Sequence, residues 1–193
     1  MSSGFDVKDT IMQIKPYVPG ESKMDTDKPI RQLAANEAPL GASPKAIEAA
    51  QGSVAQLNRY PEGGAVALRE KIGERFGFPA EQLICGAGSD EIIALICQAF
   101  TSEGSEVLYS QHGFLMYKIS ALAAGATPVS EPESDLRMDV DSMIDAMTEN
   151  TRIVFVANPN NPTGSYSTKA ELERLHAALP EDALLVIDAA YSE

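Results

Sequence analysis

The sequence predicts an α/β protein in which helices cover both faces of a mostly parallel sheet, giving three layers. From residue 80 onwards, short apolar runs alternate with helical stretches, and this alternation is typical of parallel sheets. The run Ile153–Val156 is continuously apolar, as expected of a strand that is buried on both faces. Polar and glycine-rich segments follow several predicted strands, and α/β sheets bind ligands at such strand ends.

The N-terminal third of the chain is predicted to contain an arm and two helices. Residues 1–35 have no hydrophobic period and several prolines, so we expect an irregular arm that lies on another part of the protein. A helix is predicted to begin after Ser43, an N-cap residue that precedes a proline, and to run to about Leu57. A second helix is predicted over about Ala65–Phe76, because Gly77 is typical of the position just beyond a helix end.

The rest of the chain carries the predicted sheet. Strands are predicted at Leu83–Cys85, Glu106–Tyr109, Thr127–Val129, Arg152–Ala157 and Ala183–Ile187. Helices are predicted near residues 90–100, 114–124, 139–147 and 168–178. In a parallel sheet the segments that follow the strands meet at one edge, so the chemistry of the protein is expected there.

Charge and cysteine content exclude several classes of protein. The chain has 15 Lys and Arg residues and 28 Asp and Glu residues, which gives a net charge of −13. Because nucleic-acid-binding proteins usually carry a basic stripe and this sequence has none, we expect no nucleic-acid partner. Cys85 and Cys97 lie in apolar segments, as buried thiols do in a reducing compartment, and no cysteine–histidine cluster has the spacing of a metal site. The sequence has neither an apolar run of membrane-spanning length nor a signal-peptide pattern. We therefore expect a cytoplasmic protein with no membrane partner.

The segment Gly86–Glu91 leaves a predicted strand and opens a helix. Free N–H groups at a helix N-terminus attract anions, and two glycines let the backbone approach a phosphate closely. The segment lacks the third glycine of a dinucleotide-binding fingerprint and the lysine of a P-loop. An ordinary strand-to-helix turn capped by Ser89 explains it equally well.

The segment Asn158–Gly164 combines two prolines, a glycine and three asparagines. The prolines restrict the backbone, so the asparagine side chains are predicted to be held rigidly at the sheet edge. A rigid amide is suited to donate a hydrogen bond to a phenolate-like oxygen. The alternative is an ordinary strand-to-helix loop rich in turn residues.

Three further side chains at the strand ends are candidate ligand contacts. Asp188 follows an apolar run, and a carboxylate in such a place needs a partner. A protonated ring nitrogen of a cofactor would be a suitable partner. The alternative is that Asp188 is the N-cap residue of a following helix. Tyr191 could reach the same ligand or pack as a half-buried tyrosine. Phe114 could stack on a planar ring or pack in the core. His112 has no adjacent nucleophile motif, so a hydrolase triad is not predicted.

Together these segments resemble the fold-type-I pyridoxal-phosphate aminotransferases. The resemblance to that family is carried by Gly88–Glu91, Asn158–Gly164 and Asp188–Tyr191. Within the family, the histidinol-phosphate aminotransferase branch is indicated by Lys15–Tyr17, Leu33–Gly41 and Asn58–Pro61. Aromatic aminotransferases and threonine-phosphate decarboxylases share much of this pattern.

The resemblance implies a fold, a cofactor and a reaction. It implies that residues 36–193 form part of a large domain that binds pyridoxal 5'-phosphate, preceded by the arm at residues 1–35. It also implies a homodimer that transfers an amino group between L-histidinol phosphate and 2-oxoglutarate in histidine biosynthesis. Its small-molecule partners would be an amino donor and a phosphorylated keto substrate. An aromatic amino-acid aminotransferase, an amino-acid-phosphate decarboxylase and a truncated, non-catalytic cofactor-binding fragment are the alternatives.

The resemblance also assigns cofactor-binding residues. The backbone amides of Ser89 and Asp90 would hold the cofactor phosphate, and Phe114 would stack on the pyridine ring. Asn161 and Tyr191 would donate hydrogen bonds to the ring hydroxyl oxygen. These roles are implied by matching positions in the family pattern.

The same comparison implies catalytic, interface and substrate residues. Asp188 would pair with the pyridine nitrogen, and Asp188 and Tyr191 would be the catalytic residues. Tyr60 would reach the cofactor phosphate of the neighbouring subunit. Tyr17 and Asn36 would lie near the amino substrate, and no metal ligand is implied.

Two departures from the family pattern concern the chemistry. Family members often have Pro-Thr before the stacking aromatic residue, whereas this chain has His112 and Gly113 before Phe114. The lysine that binds the cofactor covalently is expected downstream of the Asp188 segment, followed by an arginine, and none of the eight lysines here has a matching context. We therefore expect this chain to correspond to the N-terminal half of an enzyme, without the small C-terminal domain.

Overall fold

A computed structural model describes residues 7–16 and 35–192, which fall into two compact units. One unit lies within Met1–Ile14 and Ile84–Glu193 and contains the sheet, and the other lies within Lys15–Leu83. Tyr17, a predicted substrate residue, lies outside the described residues. The division into an arm at 1–35 and a large domain at 36–193 stays a prediction.

The first unit contains six strands and five α-helices among its described residues. The strands are β1 (Glu106–Ser110), β2 (Thr127–Glu131), β3 (Glu133–Ser134), β4 (Arg137–Met138), β5 (Thr151–Ala157) and β6 (Leu184–Asp188). The helices of the whole described chain are α1 (Asp9–Met12), α2 (Pro44–Val54), α3 (Val66–Phe76), α4 (Gly88–Phe100), α5 (Leu115–Ala124), α6 (Val140–Asp145) and α7 (Lys169–Ala177). Of these, α2 and α3 belong to the second unit.

The main sheet has the order β2-β1-β5-β6, and all its strands are parallel. Strands β3 and β4 form a separate antiparallel pair, which the sequence reasoning missed because each strand has only two residues. Strand β5, one of the two inner strands, has a continuous apolar stretch that is fully buried. The predicted α/β class with a mostly parallel sheet is therefore confirmed.

The residues of β5 alternate between two cores, one on each face of the sheet. Ile153 and Phe155 join a cluster with buried residues of α4 and α5. Val154 and Val156 join a second cluster with buried residues of α6 and α7. Two helices thus cover each face, which gives the predicted three layers.

The second unit confirms its two predicted helices with small changes at their ends. Helix α2 ends at Val54 rather than at about Leu57, and Ser43 occupies its N-cap position without making a side-chain capping bond. Helix α3 ends as predicted, at Gly77 with φ of 78°, a left-handed conformation that glycine adopts without strain.

Three predictions about local structure are wrong. The segment Leu83–Cys85 is not a strand: no strand of the described residues pairs with it, and Ile84 is 80% exposed. The arm is not wholly irregular, because residues 9–12 form the short helix α1. Of the two thiols predicted to be buried, only Cys97 is, and burial raises its pKa to about 11, whereas Cys85 is half-buried.

Among the described residues, no helix combines the length and the apolar character needed to cross a membrane.

Candidate active site at the carboxyl edge of the sheet

Five of the predicted site residues line one small open cleft. They come from four separate segments of the chain, and they are Ser89, Phe114, Asn161, Asp188 and Tyr191. Ala157, Pro159 and Ala190 complete its lining. Its volume, about 40 Å³, is well below the range of about 300–1,000 Å³ for small-molecule sites.

Asp188 is the last residue of β6, where it pairs with Ala157 at the end of β5. Its backbone carbonyl accepts a hydrogen bond of 2.9 Å from the N–H of Asn158. Its side chain is held at both oxygens: Oδ2 accepts from the hydroxyl of Tyr117 at 2.9 Å, and Oδ1 accepts from the N–H of Ala190 at 3.2 Å. The carboxylate is therefore fixed in orientation at the edge of the cleft.

Tyr117 is a functional candidate that the sequence reasoning missed. Its side chain is fully buried, and its ring stacks on Phe155 at 4.6 Å between centroids with an interplanar angle of 1°. Burial raises the pKa of its phenol far above the ordinary value, and the negative charge and hydrogen bond of Asp188 raise it further. Tyr117 thus remains a neutral hydrogen-bond donor. The available signal was its position three residues after Phe114, about one helical turn further along the chain.

Phe114 stands at the N-cap position of α5, immediately before the first helical residue. Its ring lies 6.0 Å from that of Tyr117 in an edge-to-face arrangement, and it packs against the core cluster of α4 and α5. The same residue also lines the cleft. The two interpretations drawn from the sequence, core packing and a position at the ligand site, therefore both describe Phe114.

The loop that follows β5 uses its three asparagines differently. The side-chain amide of Asn158 donates to the carbonyl of Ser167 at 3.1 Å and accepts from the N–H of Ser167 at 2.7 Å. Asn160 donates to the hydroxyl of Thr163 at 2.8 Å and to the carbonyl of His112 at 3.2 Å. Both amides thus build the loop, whereas Asn161 lines the cleft.

Helix α4 begins at Gly88, with Ala87 at its N-cap position, so Ser89 is not the cap that an ordinary turn would require. Ser89 and Asp90 fall in the first turn, where backbone N–H groups have no partner within the helix. The carboxylate of Glu91 accepts a hydrogen bond of 2.6 Å from the N–H of Ala87, outside that turn. The amides of Ser89 and Asp90 therefore remain suited to an anionic group.

A buried carboxylate supports the segment before Phe114. The side chain of Glu133 is only 2% exposed, and it accepts hydrogen bonds from the hydroxyl of Ser110 and from the N–H of His112 at 3.0 Å. Its second oxygen lies 2.9 Å from Nδ1 of His112. Burial opposes ionisation of Glu133, but these donors outweigh burial and lower its pKa. Sequence reasoning missed this cluster because Glu133 lies in the two-residue strand β3.

Two predicted site residues, Tyr60 and Asn36, do not belong to the unit that contains the cleft. Tyr60 lies in the second unit and is 98% exposed. Asn36 also lies in the second unit, exposed and with φ of 51° in the left-handed region. Tyr17 is outside the described residues.

Residues 28–193 match the sequence profile of a family described as "Aminotransferase class I and II". The chain belongs to this aminotransferase family. Two curated relatives with the name histidinol-phosphate aminotransferase come from Paramagnetospirillum magneticum and Rhodospirillum centenum, and they are 54% and 53% identical to it over 183 residues. Each alignment covers 95% of this chain but 50% and 51% of the relatives. The chain thus spans about half the length of the curated relatives it matches.

Solved structures of aminotransferases share the fold. Histidinol-phosphate aminotransferase from Sinorhizobium meliloti, in complex with pyridoxal-5'-phosphate, matches with a TM-score of 0.77 and 26% identity, over 82% of this chain and 43% of that one. N-Succinyldiaminopimelate aminotransferase from Mycobacterium tuberculosis matches with a TM-score of 0.66 and 29% identity, over 75% of this chain and 41% of that one. The sheet and its helices are therefore those of the aminotransferase fold.

Proposed function

We propose that this chain supplies the N-terminal half of a histidinol-phosphate aminotransferase that depends on pyridoxal 5'-phosphate. The full-length enzyme would transfer an amino group between L-histidinol phosphate and 2-oxoglutarate in histidine biosynthesis. The observation that carries the proposal is the cleft, in which Ser89, Phe114, Asn161, Asp188 and Tyr191 come together from four segments. The names of relatives that are 48–54% identical support the choice of substrate.

The donor set around the cleft fits the proposed cofactor. A phosphate suits the unpaired amides of Ser89 and Asp90 at the start of α4, because the helix dipole also favours an anion there. A planar ring suits the aromatic face of Phe114, and a protonated ring nitrogen suits the carboxylate of Asp188. When bound, pyridoxal phosphate supplies an electron-withdrawing pyridine ring.

The side chains of the cleft would hold and tune that ring. Asp188 would keep a proton on the ring nitrogen, because an adjacent carboxylate favours the positive charge. Asn161 and Tyr191 would donate hydrogen bonds to the ring oxygen, and Phe114 would cover one face of the ring and exclude water from it. The lysine that binds the cofactor and the arginine that binds a carboxylate of 2-oxoglutarate would lie in the half of the relatives that this chain does not span.

The proposal includes a homodimer in which Tyr60 reaches the cofactor phosphate of the partner subunit. The almost complete exposure of Tyr60 supports this role, since a tyrosine at a subunit interface is exposed in a single subunit. Apolar side chains of the second unit are also exposed, as expected of a surface that a second copy covers: Ile47, Val54, Leu57, Leu68 and Phe76. We further propose a cytoplasmic location and substrates that are all small molecules, with Asn36 and Tyr17 near the amino substrate.

A substrate comparison with the purified full-length enzyme tests this function. L-Histidinol phosphate, L-phenylalanine and L-threonine phosphate would each be offered with 2-oxoglutarate, and glutamate and carbon dioxide would both be measured. We expect glutamate formation with kcat/KM for L-histidinol phosphate at least roughly tenfold above that for L-phenylalanine, since polar contacts to substrate discriminate strongly. Carbon dioxide from L-threonine phosphate would instead indicate a decarboxylase, and cofactor binding without any turnover would indicate a non-catalytic protein.

A further inference from the structure

We infer that Tyr117 is a positioning residue that orients the carboxylate of Asp188 towards the ring nitrogen of the cofactor. This inference rests on the proposed function, because it assumes that a protonated ring nitrogen binds at Asp188. Its starting point is the 2.9 Å hydrogen bond from the hydroxyl of Tyr117 to Oδ2 of Asp188. The two residues are far apart in the chain, one in α5 and the other at the end of β6.

The surroundings of Tyr117 leave its hydroxyl little freedom. The ring is fully buried and lies flat against Phe155 at 4.6 Å, while Tyr109 and Phe114 contact it at other angles, at 6.2 and 6.0 Å between centroids. Side chains in close-packed cores sit in rotamer minima and interdigitate with their neighbours. The hydroxyl is thus held in place by packing, and it holds Asp188 in turn.

The chemistry of the pair suits a carboxylate that must also serve a cofactor. A carboxylate has about four acceptor positions, and Asp188 uses one for Tyr117 and one for the N–H of Ala190. Capacity therefore remains for a third donor from the cleft. Both present donors are neutral, so they fix and stabilise the anion without neutralising the charge that a pyridinium nitrogen would need. A lysine or arginine in the place of Tyr117 would compete with the ring for that charge.

The position of Tyr117 in α5 links two parts of the cleft. Phe114 is the N-cap residue of α5, and Tyr117 follows three residues later, one helical turn further on. The start of one helix therefore places both the aromatic ring that lines the cleft and the hydroxyl that orients the carboxylate. This arrangement gives Tyr117 a role beyond filling the core.

The test is Tyr117→Phe in the full-length holoenzyme, because it removes the hydroxyl and keeps the stacked ring. The enzyme is loaded with pyridoxal phosphate labelled with ¹⁵N in the ring, and the ¹⁵N chemical shift is followed with pH. We expect the variant to lose the proton from the ring nitrogen at lower pH than the wild type. We also expect kcat to fall about tenfold with KM for the amino donor unchanged, since the affected interaction develops during turnover. A purely structural role would not shift the ring-nitrogen titration.

Matched variants separate the possible outcomes. Tyr109→Phe removes a buried hydroxyl from the same core cluster, and we expect it to leave the ¹⁵N titration unchanged. If Tyr117→Phe behaves like Tyr109→Phe while Asp188→Asn moves the titration, the inference is wrong and the proposed function stands. If Asp188→Asn also leaves the titration unchanged, the proposed role of Asp188 fails, and with it the proposed function of the cleft.

A double variant keeps the test decisive if Tyr117→Phe also loosens the fold. If Tyr117 acts through Asp188 alone, the Tyr117→Phe, Asp188→Asn protein should match Asp188→Asn in kcat and in the ¹⁵N titration. A double variant whose loss in kcat equals the combined losses of the two single variants would contradict the inference. Only protein that retains the wild-type circular dichroism spectrum would be compared.

Discussion

Ala157 and Asp188 lie opposite each other at the ends of the neighbouring parallel strands β5 and β6. The next residue after Ala157, Asn158, donates its backbone N–H to the carbonyl of Asp188 at 2.9 Å. The loop that carries Asn161 therefore starts beside the carboxylate. Because the pairing register sets this relationship, the sheet itself brings the amide and the carboxylate to one cleft.

The first prediction concerns the carboxylate of Asp188 in the full-length enzyme. Asp188→Asn keeps the size of the side chain but removes the charge that would stabilise a protonated ring nitrogen. We expect kcat to fall by roughly 100-fold or more with an unchanged fold. Steady-state kinetics together with circular dichroism check this, and amino transfer at the wild-type rate would contradict the assignment.

Much of the sheet could be predicted from the sequence because its strands have strong local signals. The apolar run in β5 and the glycine that ends α3 specify local structure on their own. The segment Leu83–Cys85 was predicted as a strand for the same reason, but a strand also needs a neighbour. No described strand pairs with it, so its local pattern was insufficient.

In the candidate site, too, local sequence patterns predicted some residues and missed others. The residues that line the cleft were predictable because they follow strand ends or belong to motifs, as Asn161 and Asp188 do. The residues that support them were not. Tyr117 and Glu133 contact partners 71 and 21 residues away in the chain, and single-sequence patterns do not reveal such pairings.

The second prediction concerns Tyr60 and the proposed homodimer. Each site would combine Tyr60 from one subunit with the cofactor lysine of the other, since a two-fold interface repeats each contact. We therefore expect Tyr60→Ala subunits mixed with lysine-inactivated subunits to recover part of the wild-type activity. Hybrid dimers contain one site in which both groups are intact.

The mixing experiment requires purified hybrid dimers and a control. Differently tagged subunits would be purified as hybrids by sequential affinity steps, so that their formation is established before the assay. Either homodimer assayed alone provides the control and should have little activity. Isolated hybrids with no more activity than these controls would contradict the cross-subunit role of Tyr60.

The third prediction compares two glycines in helix interiors. A Cβ at Gly73 in α3 would lie 2.5 Å from the carbonyl oxygen of Phe78, whereas a Cβ at Gly52 in α2 would meet no atom within 4 Å. Gly73→Ala should therefore lower the free energy of unfolding by about 1–3 kcal/mol, the cost of overpacking. Gly52→Ala should raise it by about 0.5–1 kcal/mol, because alanine has the higher helix propensity.

Chemical denaturation of the two alanine variants in parallel measures this difference. Both substitutions add the same methyl group to an 11-residue helix, so the change in helix propensity is shared. A stability increase of the same size at both positions would show that the close approach of Phe78 to Gly73 does not constrain the helix.

The last prediction concerns the pH dependence that Glu133 confers. Its pKa in the folded protein is below the ordinary value because the hydrogen bonds from Ser110 and His112 outweigh the effect of burial. A carboxyl group with a lowered folded pKa stabilises the fold at pH values above its unfolded pKa of about 4.3, and this contribution is lost as the pH falls towards the folded pKa. Glu133→Gln should therefore destabilise the protein at pH 7 by about 1–3 kcal/mol, as expected when buried donors lose an ionised acceptor.

At pH 4 the difference between Glu133→Gln and the wild type should be smaller than at pH 7, because part of the wild-type contribution is already lost. Guanidinium denaturation at the two pH values measures this change. Glu173→Gln is the matched control, since Glu173 lies on the surface of α7 with its side chain 66% exposed and only a 3.6 Å contact to Lys169. It should change the stability little at either pH, as surface ion pairs contribute about 0–1 kcal/mol. An effect of Glu133→Gln that is the same at both pH values would mean that its ionised form does not stabilise the segment before Phe114.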